Sequence, residues 1–409
     1  MSSRRYIIIG NGFAGTTAAE HLRKLDPSSS IHLFGDEAYP LYNRIALPPL
    51  LRKQIAASKV MMRDLAWHEK YAIELHLGTR VERIIPEEKC ILVHGRSYAY
   101  DALLLATGGA PQPSQLPGAA GAQNIFHFQS FDDTQLLSER LETARCAVAV
   151  GGSFIAYELA EAFVARGLET HWLIRGPRFL RRLLDEDAGS LLDAAARADG
   201  VHLHYGDEVA SFETVNNQVQ AVQTQRGLRL PTDLVGLGLG IQIHLDLAIG
   251  TTIATATGFV CDDRLETSIP GIFAAGDAAE FFDPIAQMHY RMGTWNNAGA
   301  HGKVVAINMA GGDQRYHDIP EYSSKIFSDQ AITQFGLSPE LRPDLHMVRR
   351  LDRNEGHYRA LFFDGDRLAG GVFIGKTNRA GKRRYLDAIK ARATFAANER
   401  EALLDWKAV

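Results

Sequence analysis

The sequence predicts an α/β protein built on parallel sheets covered on both faces, and three observations carry that prediction. Residues 6 to 9, "YIII", form a continuous apolar run that enters a Gly10-x-Gly12-x-x-Gly15 turn. The same grammar returns 141 residues later, where "CAVAV" enters Gly151-Gly152-Ser153-Phe154-Ile155-Ala156. Two further apolar runs, "ALLLATGG" and "GIFAAGD", also end in glycine turns. Apolar runs without alternation suit parallel strands buried on both faces. At 409 residues, with 46% hydrophobic and 22% charged residues, the chain is long enough for two to three globular domains.

Charge and cysteine usage exclude several classes. A formal net charge of -4 supplies no global basic field for nucleic acid or an anionic membrane. The weakly charged stretch Leu234 to Gly250 is interrupted by Gln242, His244 and Asp246, short of the ~20 apolar residues of a membrane span. Arg4 and Arg5 precede only four apolar residues before Gly10, so a strand is expected there rather than a leader, and the protein is expected in the cytoplasm. Cys90, Cys146 and Cys261 are far apart and form no C-x-x-C pair, which suits a reducing compartment and no local dithiol site. No metal site is expected: His202 and His204 share a strand face, but no further ligands cluster with them in sequence.

Each element follows in order. In the first turn Gly10 permits the tight bend, Gly12 lets the backbone approach a pyrophosphate, and Gly15 lets the helix starting near Phe13 pack on its strand. The helix N-terminus, including Ala14, then offers N–H groups and a positive dipole end to the phosphates. Pro27 and three serines stop the helix, "IHLF" makes the next strand, and Asp36 follows Gly15 by 21 residues, close to the ~20-residue offset of a ribose-binding carboxylate. The second turn leads into a helix to Arg166, stopped by Gly167, and a strand at 170 to 174. Ser153 and Ala156 replace its second and third glycines; both are small, but Ser153 is placed to crowd a pyrophosphate. Two Rossmann-like dinucleotide-binding domains are therefore expected.

At these four motifs, in this order, the chain resembles the two-dinucleotide-binding flavoproteins, the pyridine nucleotide-disulfide oxidoreductases in the broad sense, over nearly its whole length. The resemblance implies an FAD domain in two segments, 1–113 and 249–318, an NAD(P)H domain inserted at 114–248, and a C-terminal α+β interface domain at 319–409. It places Gly10, Gly12, Phe13, Ala14, Gly15 and Asp36 at the ADP half of FAD, and Thr107, Gly108, Gly276 and Asp277 along the flavin side, with Arg44 and Val81 also in the FAD set. Trp295 has two readings: beside the flavin or nicotinamide, or an aromatic core residue. His289 and His301 either touch flavin or cap a turn.

The segment "YPLYNRIALPPLLR" carries no cysteine where the disulfide reductases have theirs, so electrons must pass directly from flavin to an acceptor. It is similar to the "PY-x-R-P-P-L-S-K" segment of ferredoxin reductases, rubredoxin reductases and the flavin half of nitrite reductase, with Pro49 in place of the lysine. Nothing resembles sirohaem or iron–sulfur ligation, so a complete nitrite reductase is not expected.

The second site is expected to take NADPH through Gly152, Ser153, Phe154 and Ile155, with NADH possible. NADH-using members carry a carboxylate at the position of Ile174; here Arg175, Arg178 and Arg181 follow, as in glutathione reductase, and guanidinium forks suit a 2'-phosphate. The other reading is a solvated basic segment beside a decayed nicotinamide site. Glu158 resembles the family's glutamate near the nicotinamide and is the candidate catalytic side chain; its other reading is a surface charge on the helix.

The implied activity is FAD-dependent NAD(P)H oxidation, with electrons passed to a small acidic carrier of ferredoxin or rubredoxin type. "GKTNRAGKRR" offers Lys376, Arg379, Lys382, Arg383 and Arg384 as a patch for it, or as a solvated helix start. The alternatives are a redox-controlled binding protein resembling apoptosis-inducing factor and an NAD(P)H oxidase using oxygen. Oligomeric state is not legible.

Overall fold

The computed structural model describes residues 3–375 and 382–405. Two compact units emerge: Met1–Asn43 with Ser58–Ala110 and Gln242–Glu321, and Arg44–Ala57 with Pro111–Ile241 and Tyr322–Val409.

The first unit is organised by β1 (Arg5–Ile9), α1 (Phe13–Leu25), β2 (Ser30–Phe34) and β3 (Ile73–His76). An antiparallel meander of β4 (Arg83–Ile85), β5 (Cys90–Val93) and β6 (Arg96–Ala99) precedes β7 (Ala102–Leu105). A parallel sheet runs Ile272–Ala274, β7, β1, β2, β3. Tyr6, Ile7 and Ile8 of β1 are fully buried, as the unalternating apolar run requires. The face of α1 toward this core is made of Ala14, Ala18, Ala19 and Leu22, and the helix ends at Asp26, before Pro27. Arg23 holds the chain beyond it, donating to the carbonyls of Pro27 and Ser29 at 2.8 and 2.9 Å.

The second unit repeats the plan. Its parallel sheet runs Val201–Tyr205, Glu169–Ile174, Cys146–Val150, Leu234–Leu237 and Ile125–Phe126. Val148, Val150, Leu173, Val235 and Leu237 share a core with Phe212 and Val222 of an antiparallel three-stranded sheet. Toward the C-terminus a five-stranded sheet carries the hairpin His357–Asp364 and Arg367–Gly375, followed by the helix Lys382–Lys390. The α/β architecture with two Rossmann-like sheets and a C-terminal α+β region is the one the sequence predicts.

No helix among the described residues is long and apolar enough to cross a membrane. The three cysteines are free thiols on strands; burial pushes Cys146 up to about 11 and Cys261 well above its ordinary value, so neither is a ready thiolate at neutral pH. In the basic segment, Lys376 and Arg379 lie outside the described residues. Arg384 is half-buried, stacking on the Tyr385 ring at 4.7 Å and donating to the Leu403 carbonyl at 3.2 Å, which ties part of its guanidinium to the fold.

Candidate dinucleotide-binding sites

In the first turn the packing is too tight for a side chain at two of the three glycines. A Cβ on Gly10 would lie 2.1 Å from the Ala106 carbonyl oxygen, and one on Gly15 would lie 1.9 Å from that of Gly10. Gly12 is different, because a Cβ there would meet nothing within 4 Å. Space is thus left where a pyrophosphate would lie, and no side chain caps α1 behind Gly12. The first-turn N–H groups of α1 therefore face that space without a side-chain acceptor, the arrangement that suits an anion. Asp36 is exposed just beyond β2, whereas its neighbour Glu37 is engaged by the Tyr42 hydroxyl at 2.6 Å. These residues fit the ADP half of a dinucleotide.

The flavin-side candidates converge on the same helix end. Gly276 packs on Ala14, where an added Cβ would lie 3.3 Å from the alanine methyl, and Asp277 follows in a 3-10 turn. The helix Trp295–Met309 crosses α1 so closely that a Cβ on Gly302 would lie 2.5 Å from the Ala14 carbonyl oxygen. Trp295 starts that helix and stacks on Phe13, ring centroids 4.1 Å apart and planes 8° from parallel. Half-buried, it roofs the entry of α1 rather than filling the core. His301 is a turn cap. It is fully buried, and its Nδ1 accepts the Gly276 N–H at 3.3 Å. Burial pushes it down to about 3, so it stays neutral and able to accept. His289 is exposed on the strand Met288–Tyr290, against Phe282. Thr107 donates to the His244 carbonyl at 3.3 Å, Gly108 follows it with φ 59°, and Val81 is buried in the same unit. Arg44 belongs to the second unit, where it donates to the Gln129 carbonyl at 2.7 Å.

In the second turn the irregular residues are accommodated differently. Ser153 does not point into the phosphate space. Its hydroxyl donates to the Gly238 carbonyl at 2.8 Å and accepts the Ala156 N–H at 3.4 Å, capping the helix Phe154–Ala165. The room that a third glycine would provide is supplied from the facing chain, since a Cβ on Gly238 would lie 2.5 Å from the Ala156 nitrogen. Gly152 is exposed, Phe154 packs on Tyr322 with centroids 4.1 Å apart, and Ile155 is half-buried.

The arginine segment is tied to this turn, because the Leu180 N–H donates to the Gly152 carbonyl at 3.2 Å. Ile174 is buried, so the strand end presents no side chain to a ribose. The three arginines then divide. Arg178 is spent on the loop itself, donating to the Leu184 carbonyl at 2.8 Å and packing over Gly189. Arg181 lies over Gly176, and both it and Arg175 are exposed. The only ion pair of Arg175 among the described residues is a loose one of 3.8 Å to Glu208, which constrains it little.

Glu158 is half-buried on the helix Phe154–Ala165, beside Glu161, whose carboxylate pairs with Arg52. Burial first, and the Glu161 charge second, push its carboxyl up to about 8 against the pull of Arg52. It is therefore not an ordinary solvated helix charge. The sequence reading missed the roles of Gly238 and Tyr322, which reach the second turn from 85 and more residues away. The one local signal was the glycine alternation of "LVGLGLG".

Comparison with known proteins shows what the chain is similar to. The family described as pyridine nucleotide-disulphide oxidoreductase matches residues 4–302. The chain is 24% identical over 397 residues to the assimilatory nitrate reductase electron transfer subunit of Bacillus subtilis (strain 168), covering 95% of this chain but 49% of the relative, so it spans about half that relative's length. It is 33% identical to the biphenyl dioxygenase system ferredoxin--NAD(+) reductase component of Paraburkholderia xenovorans (strain LB400), covering 74% of each chain. The covalent putidaredoxin reductase–putidaredoxin complex superposes with a TM-score of 0.91 at 25% identity, covering 99% of this chain and 97% of that one.

Proposed function

The chain belongs to the pyridine nucleotide-disulphide oxidoreductase family, and on that premise we propose that it is an FAD-dependent NAD(P)H oxidoreductase passing electrons to a small one-electron carrier of ferredoxin or rubredoxin type. The observation that carries this reading is the pair of glycine turns, each opening on a helix N-terminus, with no cysteine in the segment that follows β2. Bound at the first turn, FAD supplies an acceptor for a hydride and a source of single electrons. The chain's own part is binding and orientation. Gly12 and the first turn of α1 hold the pyrophosphate, Asp36 the adenosine ribose, and Asp277, fixed through the Gly276 N–H on His301, the far end of the cofactor.

At the second turn we assign the backbone of Gly152, Ser153, Phe154 and Ile155 to the nicotinamide dinucleotide and Glu158 to its nicotinamide end. NADPH is favoured because Arg175 and Arg181 extend from a strand end that offers no carboxylate. The ferredoxin--NAD(+) reductase among the relatives makes NADH the competing cofactor. The carrier is assigned from two relatives, a ferredoxin reductase and a reductase solved with putidaredoxin. Arg383, exposed at the start of the helix Lys382–Lys390, is the described position from which an acidic carrier could be steered. The three free thiols suit a cytoplasmic location.

Turnover tests the proposal. NADPH oxidation coupled to cytochrome c should be fast only when a ferredoxin or rubredoxin is added. Rapid oxygen uptake without a carrier would make the protein an oxidase. Slow turnover with every carrier would make it a redox-controlled binding protein.

A further inference from the structure

We propose that His32, Glu74 and His76 form a binding site for one divalent ion of the zinc, nickel and copper class on the outer strands of the first unit's sheet. Parallel pairing of β2 with β3 sets His32 opposite Glu74 and Phe34 opposite His76, so all four side chains share one face. The donor atoms converge. Nδ1 of His32 lies 3.2 Å from Nε2 of His76, and the two Glu74 oxygens lie 3.4 Å from one of these nitrogens each. A four-coordinate ion with ligand bonds of about 2.0–2.2 Å holds its ligand atoms roughly 3.3–3.6 Å apart. The two histidine–glutamate separations already stand at that spacing and the histidine–histidine one just inside it, with a fourth position left for water.

The surroundings orient the ligands as metal sites require. Nε2 of His32 is 3.2 Å from the Ser30 hydroxyl, which turns Nδ1 toward the cluster. Phe34 stacks on the His76 ring at 4.3 Å and 8°, and Tyr98 meets both imidazoles edge-on at 5.8 Å. Both imidazole side chains are about one-fifth exposed and Glu74 is 63% exposed, so an ion has an entry path. Two imidazoles and one carboxylate suit a borderline divalent ion and not calcium or magnesium, which take mostly oxygen ligands.

The second sheet supplies an internal contrast. There His171 stands opposite His202, with His204 two residues on, and Nδ1 of His171 lies 3.0 Å from Nε2 of His204. Glu169, however, meets His171 at Nε2, on the other edge of the ring, so these donors diverge. The same strand register gives two histidine pairs, and a carboxylate completes only one of them. An ion at the first cluster would bridge β2 to β3, the outermost strand of its sheet.

Zinc binding to the FAD-loaded full chain tests the proposal. After treatment with chelator, the protein is dialysed against zinc at neutral pH, and bound metal is measured against flavin. One zinc per chain is expected. His76→Ala should lose it, and Glu74→Gln, a change at an exposed side chain that the fold tolerates, should weaken its affinity at least tenfold. His171→Ala should retain it, and the flavin spectrum reports that each variant is folded. No retained zinc in the unmodified protein, equal retention in Glu74→Gln and His76→Ala, or loss in His171→Ala would overturn the proposal. In that event the His32 and His76 rings share only a proton.

Discussion

Ser153 donates its hydroxyl to the carbonyl oxygen of Gly238, 85 residues away and 2.8 Å distant. The contact explains how the second glycine turn keeps its shape with serine where the first turn has Gly12. The side chain is held against the neighbouring chain, away from the space in front of the helix. Ser153→Ala should then cost about 1 kcal/mol of stability, as lost helix caps do. It should leave the KM for NAD(P)H nearly unchanged. A large rise in KM without loss of stability in urea would mean that the hydroxyl reaches the phosphate instead.

Asp36 is exposed beside the first turn, while Glu37 is engaged by Tyr42. Asp36→Ala should weaken FAD retention by roughly tenfold, about the worth of one hydrogen bond to a charged group. Glu37→Gln should not. Measuring released flavin during dialysis separates the two, and equal loss from both would move the ribose contact away from Asp36.

Arg175 and Arg181 are the members of the arginine segment free to meet a 2'-phosphate; Arg178 is held by the Leu184 carbonyl. Replacing each by Ala should raise the KM for NADPH roughly tenfold, with little effect on NADH. The same loss for both nucleotides, or an unmodified enzyme that prefers NADH, would remove the 2'-phosphate from this strand end.

Glu158 gives a pH dependence with a definite sign. Burial and the Glu161 charge keep its proton on in the folded state up to about pH 8, whereas the unfolded chain releases it in the ordinary carboxylate range. The folded state binds more protons between those limits. The resulting stability is complete at acid pH and is lost as pH rises through about 8. Glu158→Gln should flatten that decline in denaturant unfolding. In the assigned role it should also remove a transition near pH 8 from the rate of flavin reduction. A transition that survives in Glu158→Gln belongs to another group.

Much of this architecture is legible in the sequence because it is local. The apolar run, the glycine spacing and the helix that follows lie within about twenty residues in each half. What escapes is set by register and long-range approach. Gly238 serves the second turn from the end of a different strand, and His301 caps Gly276 from 25 residues away. Neither contact leaves a spacing that can be read in advance. Charge is misread for the same reason. "RGPRFLR" reads as three equal arginines, but the loop uses Arg178 for the Leu184 carbonyl, and packing on Tyr385 half-buries Arg384. His32 and His76, 44 residues apart, become neighbours only through the pairing of β2 with β3.

The central claim is that one chain holds both dinucleotides and moves a hydride from the second to the first. Anaerobic stopped-flow mixing of the FAD-loaded protein with NADPH, and separately with NADH, tests it most directly through the visible absorbance of the flavin. The account predicts rapid loss of that absorbance in both cases, faster or at lower concentration with NADPH, and its return when oxidised ferredoxin or rubredoxin is added. A protein that takes up no FAD, or whose bound flavin neither nucleotide reduces, would contradict it.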